Sequence, residues 1–142
     1  MKIKKVFLVD WLLVPASFSC ALTGIKLHAA GHFDTHAVWH NWAVSHVLTS
    51  LAFLVLGIIH VKMHWAWYKG WITKGIGNKS RVTALLSVIF FLIILTGVML
   101  LALIDGANSP TGLWHYRVGL FLVVLSVWHI VKRWRVLRKS IA

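Results

Sequence analysis

The stretch that decides the fold is His46–Trp65, HVLTSLAFLVLGIIHVKMHW, because it returns without a gap as His115–Trp134, HYRVGLFLVVLSVWHIVKRW. Each copy opens on His, carries a second His fourteen residues later and a Trp five further on. Each is preceded by another apolar stretch, and these end alike, in Thr23-Gly24 and Thr96-Gly97. A membrane helix needs about 20 predominantly apolar residues to cross roughly 30 Å of hydrocarbon. Four segments meet that length, at approximately 6–27, 43–64, 82–104 and 113–134. Hydrocarbon offers the backbone no hydrogen-bond partner, so spans of this kind are helices. The expected fold is therefore all-α: an integral membrane four-helix bundle built from two repeated helical hairpins. Residues 1–142 form a single membrane domain, with the outer connection four residues longer in the first copy.

Composition agrees. Of 142 residues, 59% are hydrophobic and only 13% charged, with a mean hydropathy of +0.80. A soluble domain carries about a quarter charged residues. The 15 basic against 3 acidic residues follow membrane topology rather than nucleic-acid binding, which is not expected. Lys2, Lys4 and Lys5 precede the first span. Lys62, Lys69, Lys74, Lys79 and Arg81 lie at the second-to-third connection, and Lys132, Arg133, Arg135, Arg138 and Lys139 follow the core of the fourth. Only Lys26 and Arg117 fall on the other side. The positive-inside rule places both termini in the cytoplasm, in a bacterial-type inner (plasma) membrane. Tryptophans mark both boundaries: Trp39, Trp42 and Trp114 outside, Trp65, Trp67, Trp71 and Trp134 inside. The basic start and Ser19-Cys20 faintly resemble a signal peptide. Asp10 within the apolar run and bulky Phe18 argue for a retained first span. A single cysteine, Cys20, excludes an internal disulfide, a CxxCH haem attachment and cysteine-ligated clusters within the chain. The loops leave no room for a soluble catalytic domain.

Ionisable side chains inside a membrane are costly and by default mark function. Fourteen residues is almost four helical turns, so the two histidines of each copy share nearly one face, about 21 Å apart along the axis. Alternate spans run the same way, which pairs His46 with His115 near the outer face and His60 with His129 near the inner. Facing imidazoles from neighbouring helices are what a six-coordinate haem iron requires. The residues between them follow one order. The second span reads His46, Ser50, Phe53, Gly57, His60, and the fourth reads His115, Gly119, Leu122, Ser126, His129. Small residues one turn from each ligand leave space for a flat macrocycle, and the bulky one midway fills the gap between two plates. Gly24 and Gly97 are expected to let the first and third helices approach a macrocycle edge. Histidines can also serve as buried polar links between helices, but four at matched spacing with matched flanks point to ligation.

With those residues in view, the chain resembles the small four-helix dihaem membrane cytochromes b, in particular the flavinylation-associated cytochrome group. The resemblance rests on the basic start, Asp10, the apolar run to Thr23-Gly24, His46 with His60, and His115 with His129 near the chain end. The two-helix ligand scheme is also similar to that of the cytochrome b of quinol–cytochrome c reductases. The resemblance implies two non-covalent haem b groups and electron transfer across the membrane, without specifying donor or acceptor.

Other features are less specific. His28, His32, His36 and His40 recur every fourth residue and, on a helix, would form a drifting stripe able to hold a divalent metal; otherwise they belong to a polar outer loop. His40 rivals His46 as outer ligand, but its distance from His60 breaks the fourteen-residue rule. His64 rivals His60, yet its repeat counterpart is Arg133. His64 and Arg133 are better placed at the inner boundary, near haem propionates or a quinone headgroup. Asp10 is read as a proton relay or as the partner of a nearby Lys or Arg. The leading expectation is a membrane electron-transfer subunit between quinone or quinol and a periplasmic or membrane-associated redox protein. The alternatives are a self-standing quinol-linked oxidoreductase, and a non-redox membrane anchor or transporter whose histidines handle protons or metal.

Overall fold

A computed structural model describes residues 2–75, 77, 81–103 and 109–139, with side chains from residue 7 onward. Lys79 and position 104, the end of the third expected span, lie outside the described residues. Every regular element is helical: α1 (Lys2–Phe33), α2 (His36–Met63), α3 (Trp65–Lys74), α4 (Arg81–Ala102) and α5 (Pro110–Lys139). Within α1, the segment Phe7–Phe33 is long and apolar enough to cross a membrane, and so are α2 and α4. The expected fourth span lies inside α5, which carries Arg117 and five basic side chains between Lys132 and Lys139 and is not among the three.

Local chemistry sets the helix ends. Ser109 starts α5, its Oγ accepting the Gly112 N–H at 3.1 Å, with Pro110 at the first helical position, where its missing N–H costs nothing. Gly75, at φ 74°, ends α3 in a conformation that other residues avoid. At His64 the chain leaves α2 and re-enters a helix at once, so the inner connection begins with a ten-residue element absent from the sequence reading. The outer connection also differs from the expected loop. Helix α1 continues to Phe33 and α2 begins at His36, leaving only Asp34 and Thr35 between them. The sequence there, KLHAAGHF then HAVWH, lacks the Pro or Gly-rich signal that would have forced a longer loop.

The helices pack as two antiparallel hairpins, α1 on α2 and α4 on α5, with α1 also lying along α5. Ring contacts fix the register of that last pair. His28 stacks on Tyr116 at 3.9 Å near one end, and Trp11 meets Trp134 edge-on at 6.2 Å near the other. Phe53 of α2 meets Phe90 of α4, also edge-on, at 5.5 Å. The backbones of α2 and α5, the two histidine helices, make no comparable packing contact; side chains and a cavity lie between them. Among described residues only Ala30, Ala84, Leu122 and Leu137 are buried hydrophobics, while Phe18, Leu48, Phe91 and Val131 are each more than 60% exposed. Apolar surface on that scale suits hydrocarbon, not water.

Candidate functional site

The site is built at two depths: at one, a histidine of α2 meets a histidine of α5, and at the other, one histidine from each helix lines a shared cavity. At the outer depth the His46 and His115 rings stand 6.2 Å apart, centre to centre, at 77° to each other. Both Nδ1 atoms are held by the preceding helix: Thr23 Oγ1 lies 3.2 Å from His46 Nδ1, and Thr96 Oγ1 lies 2.9 Å from His115 Nδ1. Each threonine hydroxyl also reaches a carbonyl of its own helix at 2.9 Å, Ser19 O or Leu92 O. A hydroxyl has one proton to give, so with that proton on the carbonyl the oxygen accepts the imidazole Nδ1–H. That tautomer leaves the Nε2 lone pair available for a metal.

The glycines named from sequence sit at these rings. A Cβ on Gly24 would come within 2.9 Å of His46 Cε1, and one on Gly97 within 3.2 Å of His115 Cε1. Both glycines make room for the imidazoles themselves. Ser50 is paired with Cys20 at 3.4 Å, and Gly119 faces Ile93 of α4.

At the inner depth, residues of α1, α2, α3, α4 and α5 line a partly open cavity of about 480 Å³. His60 and His129 line it from α2 and α5, together with small Gly57 and Ser126 and the larger Phe53, Phe90 and Leu122. Gly57 also gives Phe90 its place, since a Cβ there would stand 2.6 Å from the end of that ring. His60 Nδ1 donates to Asp10 Oδ1 at 2.7 Å, a direction fixed because a carboxylate only accepts. His64 Nε2 lies 3.6 Å from the same oxygen. Asp10 thus pairs with histidines, not with the Lys or Arg expected from sequence. Thr83 Oγ1 approaches His129 Nδ1 at 3.5 Å, the outer limit of a hydrogen bond. His64 and Arg133 both line the cavity, where Trp67 and Tyr68 of α3 join them; Tyr68 is tied to α4 through Ser87 at 2.8 Å.

The four outer histidines do not make one stripe, because the chain breaks between them. His28 and His32 sit on α1, 4.9 Å apart, and His36 and His40 on α2, 6.5 Å apart. Among described residues, the one group of three or more ligand-type side chains with donor atoms within 4.8 Å of one another is Asp10, His60 and His64. His40 is exposed, whereas His46 is half-buried against α1.

The residues present fit a bis-imidazole iron group. Metal–imidazole bonds of roughly 2.0 Å bring two opposed ring centres to about 6 Å, the spacing of His46 and His115. The inner pair instead flanks a cavity within the roughly 300–1,000 Å³ range of cofactor sites.

Sequence reasoning missed the Nδ1 partners, though a signal was present. Val9–Gly24 aligns without gaps on Val82–Gly97, sharing Val, Leu-Leu, Phe and Leu-Thr-Gly at matched positions. Extending the repeat that far places Asp10 opposite Thr83 and Thr23 opposite Thr96, the four side chains that meet the four histidines. No protein-family model, curated protein or solved structure matches the chain.

Proposed function

We propose that this chain is a membrane dihaem b-type cytochrome. In this reading it is a four-helix bundle with α5 as its fourth span and both termini cytoplasmic. It carries electrons between a quinone pool and a redox partner protein, as a subunit of a larger respiratory complex. The observation that carries the reading is the set of four histidine Nδ1 atoms, each met by a side chain of the preceding helix at a matched position of the repeat. Ligating histidines are oriented in this way, through the nitrogen that does not bind the metal. Bound haem supplies reversible one-electron chemistry at iron.

The chain's own residues hold, orient and insulate. His46 with His115 ligate the outer group, and His60 with His129 the inner. Thr23, Thr96, Asp10 and Thr83 fix the rings. Phe53, Phe90 and Leu122 separate the two levels and keep water from passing between them. Arg133 and His64 suit the carboxylates of haem propionates, to which an Arg can pair in bidentate fashion. The exposed apolar residues face lipid. The α1–α2 tip and the connection beginning at α3 offer the surfaces for protein partners.

The test is an absorbance spectrum with haem quantification on the purified full chain. A reduced b-type spectrum with two haems per chain is expected. A colourless protein from haem-replete cells refutes the reading. It would favour a second one, supported by the clustering of Asp10, His60 and His64: a membrane transporter that handles protons or a divalent metal.

A further inference from the structure

The repeat makes four equivalent places for a side chain that holds a ligand's Nδ1, and three of them carry threonine. The fourth carries Asp10. We propose that this one departure makes the inner site the more reducing of the two, with Asp10 as a positioning residue that sets the donor strength of His60. The inference rests on the dihaem reading and adds to it an ordering of the two sites.

The geometry is asymmetric. Thr23 divides itself among His46, Thr49 and the carbonyls of Ser19 and Cys20, so its contact with the ring is that of a neutral, shared hydroxyl. Thr96 serves His115 while bonded to two carbonyls of its own helix. Thr83 stands off from His129 at 3.5 Å. Asp10 takes the His60 Nδ1–H at 2.7 Å, a short contact of the kind formed when the acceptor is ionised. A carboxylate drawing on that proton raises the basicity of the opposite nitrogen. A more basic ligand, like a negative charge nearby, favours the ferric over the ferrous state of an iron it binds. Low dielectric around a site of this kind strengthens the effect. Two cationic-type side chains share the cavity, His64 at 3.6 Å from Asp10 and Arg133. Both side chains are also present when Asp10 alone is changed, so a shift on substitution traces to the loss of the carboxylate. At equilibrium, an electron shared between the sites resides on the outer one.

The experiment is a redox titration of the purified full-length protein and of Asp10→Asn and Asp10→Thr, following each haem by its absorbance. The inner haem is assigned by its loss in His60→Ala. Asn keeps an acceptor oxygen without the charge, and Thr copies position 83. In the wild type the inner midpoint is expected below the outer. Both variants should raise the inner midpoint by at least a tenfold change in the sharing equilibrium, about 59 mV for one electron, and leave the outer unmoved. An inner midpoint above the outer in the wild type, or variants with two haems and no inner shift, overturn the proposal. So does loss of the inner haem from both variants, since the carboxylate would then be needed to retain the haem rather than to set its potential. A wild-type protein without haem would instead end the dihaem reading, so the two failures are told apart.

Discussion

Three glycines form a graded series that tests the ligand geometry. A methyl group added at Gly24 meets His46 Cε1 at 2.9 Å, at Gly97 meets His115 Cε1 at 3.2 Å, and at Gly119 meets Ile93 Cδ1 at 3.6 Å. Ordinary contact begins near 3.4 Å, so Gly24→Ala falls short by about half an ångström, Gly97→Ala by about half of that, and Gly119→Ala fits. The His46 ring has little freedom to yield, because Thr23 holds its Nδ1 and Thr49 holds Thr23. Ligand constellations tolerate about 0.5 Å before they fail. Overpacking costs about 1–3 kcal/mol, while replacing a helical Gly by Ala returns roughly 0.5–1 kcal/mol. For Gly24→Ala the balance is a net loss of about 1–2 kcal/mol, roughly tenfold in outer haem affinity. Gly97→Ala should show a smaller loss, and Gly119→Ala should keep both haems and unfold no earlier than wild type. The assay is haem per chain after purification, with titration of haem back into depleted protein and thermal unfolding followed by circular dichroism. A fully loaded Gly24→Ala with an unchanged spectrum, or a Gly119→Ala as damaged as Gly24→Ala, refutes the placement of these rings.

Three further outcomes follow from the same geometry. His60→Ala or His129→Ala should remove the inner haem and spare the outer, and His46→Ala or His115→Ala the reverse, read from haem content and the split of the reduced band; uniform loss in all four would deny two separate levels. His64→Ala should retain two haems per chain, because its ring meets Asp10 rather than facing His129 as a repeat partner; loss of the inner haem would transfer the ligand role to His64. Thr96→Val removes the hydroxyl that meets His115 Nδ1 and should weaken outer haem binding about 10- to 100-fold, measured by titration of the depleted protein. Thr96→Ser should restore most of it, and equal weakening by both would mean that packing, not the hydrogen bond, holds the ring.

How much of this was legible in the sequence varied with the physics involved. The contact between His46 and His115 was legible because a fourteen-residue spacing on a helix fixes both face and depth; at the other depth His60 and His129 line one cavity, and the ring that meets His60 is His64. The small and large residues between the histidines were only partly legible. Phe53, Leu122, Gly57 and Ser126 line the inner cavity as their order suggested, but Gly119 faces α4 and Gly24 and Gly97 face imidazoles. A glycine in sequence announces a close approach without naming what approaches. That answer depends on helix rotation, which a two-residue turn at Asp34-Thr35 and contacts such as His28 on Tyr116 set from a distance.

The outer histidines show the opposite error, in which a local pattern was given too much length. A four-residue recurrence makes a stripe only while one helix continues, and Asp34-Thr35 interrupts it after the second histidine. The turn is written in two short polar residues, and Thr35 begins α2 in an extended conformation without a side-chain cap to advertise it. Asp10 was misjudged for a related reason. Charge alone suggested a cationic partner, whereas depth in the bundle decides the matter. Arg133 shares the cavity with Asp10, but it is His60, fifty residues away in sequence, that occupies the same level with an N–H to donate. A carboxylate within an apolar helix needs a donor at its own depth, and two histidines stand there: His60, which the repeat had picked out, and His64, which it had set aside. Reading Asp10 through the repeat, as the counterpart of Thr83 beneath His129, recovers its partner from sequence without any reference to charge.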